Sequence, residues 1–344
     1  MSAFRNELAR LVAGFRVVSP SAFSLYDRVY SVTPAEPHDP TPVDDPARLQ
    51  ERLSEVLYRH LHCRMGQEVW AASIPDDQRR TREFVNQLSQ ANPGVGPFEH
   101  GWLVREVHAD GGLLAERQGV CFAIPAGGYS VDPPGRDGLA SVKQGQAVLV
   151  HVPKEKRNIL PGFYLALGNT DVSVDVSQTT RVYWHVRASG AAPLIAALTR
   201  ALNATGTPFW LKLVNVPDAY VRSDAAVLYV PRSHYGDAEP AIASACAEVA
   251  PHLRTSTSAF VKRLAAGLGV AEDPGGGSSF GQHRSRIVAA ALLGHPVLED
   301  SVAGAAAAVE AVSAHLTQAG LDPDAVHLSP GSTMDYRTLG AAAA

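Results

Sequence analysis

The stretch from Arg181 to Pro231 constrains the fold more than any other part of the chain. "RVYWHVR" alternates polar and apolar residues, so Arg181, Tyr183, His185 and Arg187 share one strand face and Val182, Trp184 and Val186 the other. "PLIAALTRALNATG" then places Leu194, Ile195, Leu198 and Leu202 on one side of a helix that stops between Asn203 and Gly206. "PFWLKLVN" and "DAAVLYV" are short β-prone runs separated by a turn. Strand, helix, strand, turn and strand in that order require a sheet with a helix laid across it. Further helical patterns at about 238–252, 280–293 and 298–319 complete the expectation of an α+β fold, a mixed sheet with helices on one face.

The chain ahead of this segment has a different grammar. Residues 1–97 read as a helical region. Leu49, Leu53, Val56, Leu57 and Leu61 recur at helical spacing behind Pro46, and "IPDDQRRTREFVNQLSQAN" forms a second helix closed by Asn92 and Pro93. The proline-rich "TPAEPHDPTPVDDP" between these helices and the N-terminus is too polar to pack. Residues 98–175 read as a β-rich layer, with a hairpin around "ADGG" and short strands in "GQAVLVHVP" and "GFYLALGN". The third region spans 176–335, and the closing alanines are expected to be a disordered tail.

Composition excludes several function classes. The net charge of −4 provides no basic field for nucleic acid, so any anion site must be built locally. Cys63, Cys121 and Cys246 are scattered and odd in number, as buried thiols in a reducing compartment would be. The N-terminus lacks a signal-peptide core, and no apolar run is long enough for a membrane span, so a cytoplasmic location is expected. His60, His62 and Cys63 do not share the i,i+4 face of a helical metal site, so no metal is expected. No GK[ST] ending, no GxGxxG fingerprint and no GxSxG elbow is present, and no cofactor is expected.

Four constellations remain as candidates. Lys212 in "FWLKLVN" either snorkels across Trp210 or serves as a base, since apolar and cationic surroundings favour the free amine. His185 lies either on a solvated sheet edge or in an acid's position. Arg222, in the turn before "DAAVLYV", can fork onto a phosphate or pair with Asp218 or Asp224. "EDPGGGSSFGQHRSRIVAAAL" is either a linker into a capped helix or an anion-binding helix start carrying Arg284 and Arg286.

Three segments, "LPGFYLALG", "GTPFWLKLVNVPDAYVRSDAAVLYV" and "GLGVAEDPGGGSSFGQHRSRIVAAAL", resemble the HopA-type effector-like family across about 160 to 293. That family includes type III effectors. It also includes the lyase partners of kinase-like phosphotransferases in class V lanthipeptide and thioamide peptide clusters. The order histidine on a strand, lysine on a strand, arginine before a strand is similar to the OspF/SpvC phosphothreonine lyases. The resemblance implies Lys212 as the base, His185 as the acid and Arg222 as a phosphate clamp, with Arg284 and Arg286 as second clamps. Those lyases carry a lysine two residues before the histidine, where this chain has Tyr183. Arg181 or Lys262 is then expected to replace that cation.

The resemblance thus implies elimination of phosphate from a phosphorylated ribosomal precursor peptide, giving dehydroalanine or dehydrobutyrine, after a kinase-like partner has acted. Two other readings stand beside it. One is a noncatalytic phosphopeptide-binding scaffold. The other is an effector lyase acting on a host phosphoprotein.

Overall fold

A computed structural model describes residues 2–32, 45–65, 77–117, 119–131, 142–157, 160–172, 178–277, 279–295 and 302–339. Most of the proline-rich loop and the closing alanine run lie outside the described residues. Among those described, seven helices and three antiparallel sheets form an α+β fold.

The N-terminal region is less helical than its sequence implies. Helix α1 (Ala3–Ala13), capped by the Ser2 hydroxyl on Arg5 N, leads into a meander of β1 (Phe15–Ser19), β2 (Ala22–Leu25) and β3 (Arg28–Ser31). The second hairpin turns through Tyr26 at φ 54°, a left-handed position that a search for turn glycines passes over. Helix α2 (Pro46–Leu57) starts on Asp45, whose carboxylate accepts from Ala47 N at 2.9 Å. It ends in one π turn, Tyr58–His62, closed by Cys63 N donating to the Tyr58 carbonyl at 2.9 Å. Helix α3 (Gln78–Ala91) starts on the Asp77 cap and stops at Asn92, as the sequence implies.

The five-stranded sheet is built from β4 (Phe98–Val107), β5 (Leu113–Arg117), β6 (Val120–Ile124), β7 (Tyr129–Val131) and β8 (Ala147–His151), in the order β6-β5-β4-β8-β7. Trp102, Val104, Leu113, Ala115 and Val148 give it a small core of its own. The two strands that follow, β9 (Glu155–Lys156) and β10 (Phe163–Leu167), leave this layer and join the main sheet. Tyr164, Ala166 and Leu167 are buried there, a pairing that no local pattern specifies.

The main sheet adds β11 (Thr179–Trp184), β12 (Trp210–Val214), β13 (Ala226–Pro231), β14 (Lys262–Ala265) and β15 (Leu268–Glu272), in the order β14-β15-β11-β13-β12-β10-β9. Helix α4 (Ala191–Ala204) links β11 to β12, and β13 inserts between them. Helices α5 (Tyr235–Val249), α6 (Phe280–Gly294) and α7 (Val302–Gln318) complete the chain. Helices cover both faces of the sheet, not one. On the first face Val182, Trp184, Leu211, Leu213, Leu228 and Val230 pack with α4 and α5. On the second, Tyr183, Val227 and Ala271 pack with residues of α1, α2, α6 and α7. The second cover comes partly from the far N-terminus, so it is not legible from the order of elements around the sheet.

Candidate functional site

Cross-strand register assembles the site. Tyr183 pairs with Val227, Val227 with Lys212, and Lys212 with Leu165, so these four form one row across β11, β13, β12 and β10 on the second face. Arg181 pairs with Tyr229, which pairs with Trp210, in the next row on the same face. His185 continues the alternation past the end of β11. Its neighbours Trp184 and Val186 are both in the opposite core, which turns its ring towards the second face. Strand spacing places the Cα atoms of His185 and Lys212 about 12 Å apart, a separation their side chains can bridge through one substrate.

Lys212 is half-buried, with Nζ 4.6 Å from the Phe163 ring centroid and 5.8 Å from that of Tyr229. Arg181 lies over the Tyr229 ring at 5.3 Å, so both cations address one phenol. Arg181 Nε also donates to Asp273 Oδ2 at 2.7 Å, with Nη2 bonded to the same oxygen. Asp224 is held by Arg222 through Nε–Oδ1 at 2.5 Å and Nη2–Oδ2 at 2.7 Å. Both carboxylates of this face therefore have an arginine. Lys212, among the described residues, joins no hydrogen bond or ion pair.

The π turn closes the site from above. Ser223 N donates to the Cys63 carbonyl at 2.7 Å, and Ser223 Oγ donates to the His62 carbonyl, which ties the turn to the loop before β13. Arg222 Nη2 reaches Tyr58 Oη at 2.9 Å and Cys63 Sγ at 3.5 Å. His62 lies under this turn with Nδ1 2.9 Å from Ser258 Oγ and Nε2 3.7 Å from Asp224 Oδ2. Its ring stacks on Tyr58 and meets Tyr183 edge-on. Ser258 Oγ accepts from Phe260 N and shares a second hydrogen bond with His62 Nδ1, while His62 Nε2 faces Asp224. Gly281 makes room for this ring, since a β-carbon there would lie 2.3 Å from His62.

Burial dominates the electrostatics. It pushes the His62 imidazole down to about 4, against the pull of Asp224 and with help from Arg222, Arg181 and Lys212. For Asp224, burial opposes ionisation, yet Arg222, His62 and Lys212 together hold its carboxyl well below the usual range. The Cys63 thiol is raised by burial and then by Asp224, which makes it inert. Burial, Arg254 and Arg187 lower the His185 imidazole, while the Ser256 carbonyl and Asp224 oppose them.

The remaining sequence candidates divide by place. Lys212, Arg181, Tyr183, His185 and Arg222 come together around the second face. Lys262 does not, because it pairs with Val270, which lies opposite Val182 on the first face, and it bonds Asp335 at 3.2 Å. Arg284 is 1% exposed and ties α6 to the C-terminal segment, with Nε to the Val326 carbonyl at 2.8 Å and Nη2 to the Leu328 carbonyl at 2.9 Å. Arg286 is exposed on α6. Sequence reasoning weighed His62 only as a metal ligand. Its place beside Asp224 depends on the π turn, and the lone signal for it is the tight Gly281 at the start of α6.

Residues 154–328, just over half of the chain, match the model of the HopA1 effector protein family. Two solved structures are similar. The effector protein from Pseudomonas syringae pv. tomato strain DC3000 shares 15% identity, covering 81% of this chain and 89% of that one, with a TM-score of 0.46. The effector protein from Pseudomonas syringae pv. syringae strain 61 shares 14% identity, covering 81% and 95%, with a TM-score of 0.45. No curated protein matches the chain.

Proposed function

From a chain that belongs to the HopA1 effector protein family, we propose a phosphoserine/phosphothreonine lyase acting on a phosphorylated ribosomal precursor peptide. The observation that carries this reading is the state of Lys212. Among the described residues it joins no hydrogen bond or ion pair, and it stands between aromatic rings beside two arginine–carboxylate pairs. With no side-chain partner to displace, its Nζ is free to approach the Cα–H of a bound residue, and the neighbouring arginines favour an anionic substrate.

In the proposed reaction the Lys212 amine removes the Cα proton of the phosphorylated residue. The electron pair becomes the Cα=Cβ bond, the Cβ–O bond breaks, and phosphate leaves with a proton from His185. Arg181 and Arg222 add positive potential where charge builds on the leaving oxygens, while Asp273 and Asp224 fix their orientation. The peptide keeps dehydroalanine or dehydrobutyrine. A kinase-like phosphotransferase supplies the phosphorylated substrate. The five-stranded sheet, where Phe98, Leu103, Val107, Val120 and Phe122 remain exposed, offers a surface to meet such a partner.

Mass spectrometry of a phosphorylated precursor mixed with the purified protein tests the reading. Loss of phosphoric acid from the peptide is expected, and Lys212→Met should abolish it at an unchanged melting temperature. A restored hydroxyl would make the protein a phosphatase. Binding of the phosphopeptide without any conversion would make it a scaffold.

A further inference from the structure

The two ring nitrogens of His185 have unlike surroundings. Nδ1 lies 3.0 Å from the Ser256 carbonyl oxygen and 3.1 Å from Ser256 Oγ. Nε2 is buried and has no hydrogen-bond partner among the described residues. The backbone fixes the ring's origin, since His185 N donates to the Gly267 carbonyl and Arg254 N donates to the His185 carbonyl, each at 2.8 Å. Gly267 is required there, because at φ 68° a β-carbon would lie 2.1 Å from the Arg254 carbonyl.

A carbonyl only accepts. Its contact with Nδ1 therefore places the neutral ring's proton on Nδ1 and leaves Nε2 as a bare lone pair. The charged groups facing the ring are Arg254, Arg187 and Asp224; burial and the two arginines disfavour the imidazolium, against the pull of the Ser256 carbonyl and Asp224. An unpartnered buried nitrogen is costly, and that cost is recovered only when a donor arrives. A phosphate dianion is no donor, and its oxygens repel the lone pair. A phosphate that carries a proton, or equivalently a dianion facing imidazolium, satisfies both sides with one shared hydrogen.

We propose that the Ser256 main chain is a positioning group that leaves His185 Nε2 bare, so that a phosphorylated substrate binds with uptake of one proton shared between Nε2 and the phosphate. This deepens the lyase reading and rests on its placement of the phosphate. The shared proton is the one that departs with the leaving group. After elimination Nε2 is bare again, the proton having left on inorganic phosphate, and the Nδ1 proton never moves.

The probe is a peptide containing α-methylphosphoserine, which has no Cα–H and cannot be eliminated. Calorimetry in two buffers of different ionisation enthalpy should show uptake of about one proton at pH 8, where the phosphomonoester is a dianion with its second pKa near 6. Uptake should fall towards zero at pH 5, and His185→Gln should lose it at pH 8. Nitrogen NMR of the free protein should show a neutral ring protonated at Nδ1. Binding at pH 8 without proton uptake, uptake that persists in His185→Gln, or a neutral ring protonated at Nε2 would each overturn the proposal. The NMR result stands even if the probe fails to bind. Alkene formation is read separately, so a protein that forms no alkene but takes up the proton loses the lyase reading and keeps this one.

Discussion

The two faces of the main sheet are built from the same strands and obey different physics. On the α4 and α5 face, Val182, Trp184, Leu211, Leu213 and Leu228 are fully buried among apolar neighbours. That side is held by area removed from water, about 1.5–3 kcal/mol for each large side chain. On the opposite face the alternate residues are Arg181, Tyr183, Lys212 and Tyr229, and the cover above them includes the π turn with Tyr58 and His62 and Cys63 at its end. There, burial raises the cost of every charge, and stability depends on whether each charge has a partner. Period-two alternation thus separates the part of the strand that holds the fold from the part that carries its charged side chains.

The largest expected effect comes from removing a partner on the charged face. Arg222→Ala leaves Asp224 buried without its ion-pair partner, with the Tyr58 hydroxyl and His62 near its oxygens and Lys212 farther off. A loss of about 3–5 kcal/mol is expected in urea unfolding. Arg222→Ala/Asp224→Ala should recover a good part of that loss, because the uncompensated charge is gone. A double variant no more stable than the single would mean that the pair stabilises by packing, and the contrast between the faces would weaken.

Next in size is a truncation on the apolar face. Leu211 is adjacent to Lys212 and fully buried on the other side of the strand. Leu211→Ala should cost about 2–5 kcal/mol, through lost transfer energy and a cavity. Activity per folded molecule should be kept, the reverse of the Lys212→Met outcome. Turnover and melting temperature measured on both variants give a direct comparison across one peptide bond. A Leu211→Ala protein that is folded but inactive would show that the faces are coupled.

The faces also differ in how far the sequence disclosed them. The apolar face was legible, since alternation in "RVYWHVR" and "FWLKLVN" and the helical spacing of Leu194, Ile195, Leu198 and Leu202 are local signals. The charged face was legible only in its strand half. Lys212, His185 and Arg222 stand out by residue type within their own segments. Their cover does not, because the contact between His62 and Asp224 joins residues remote in sequence through a π turn that leaves no periodic trace. Asp224 appeared only as one possible salt-bridge partner, and register was needed to show that Arg222 is committed to it. The β1–β3 meander was missed because its strands are short and its second turn uses Tyr26 where a glycine is the usual signal.

The smallest expected effect, and the one most specific to the charged face, is the pH dependence of His62. Its pKa is held at about 4 in the folded chain, against an ordinary value of 6.5. Between these values the unfolded chain binds more protons than the folded one, so stability falls as pH is lowered through that window. The loss from this group begins below about pH 6.5, is complete near pH 4, and amounts to roughly 3 kcal/mol at most. His283 and His327 are also pushed down to about 4, chiefly by burial, and they add losses of the same sign. The depressed carboxyl of Asp224 acts below its own unfolded value, so it steepens the curve only at still lower pH. Urea unfolding from pH 7.5 to 4 should therefore show a continuous decline in wild type and a shallower one in His62→Gln, whatever that variant's stability at pH 7.5. Leu211→Ala should shift the whole curve down without changing its slope. Equal slopes in wild type and His62→Gln would mean that His62 is not held neutral beneath the π turn. The charged face would then owe its cover to packing, as the apolar face does.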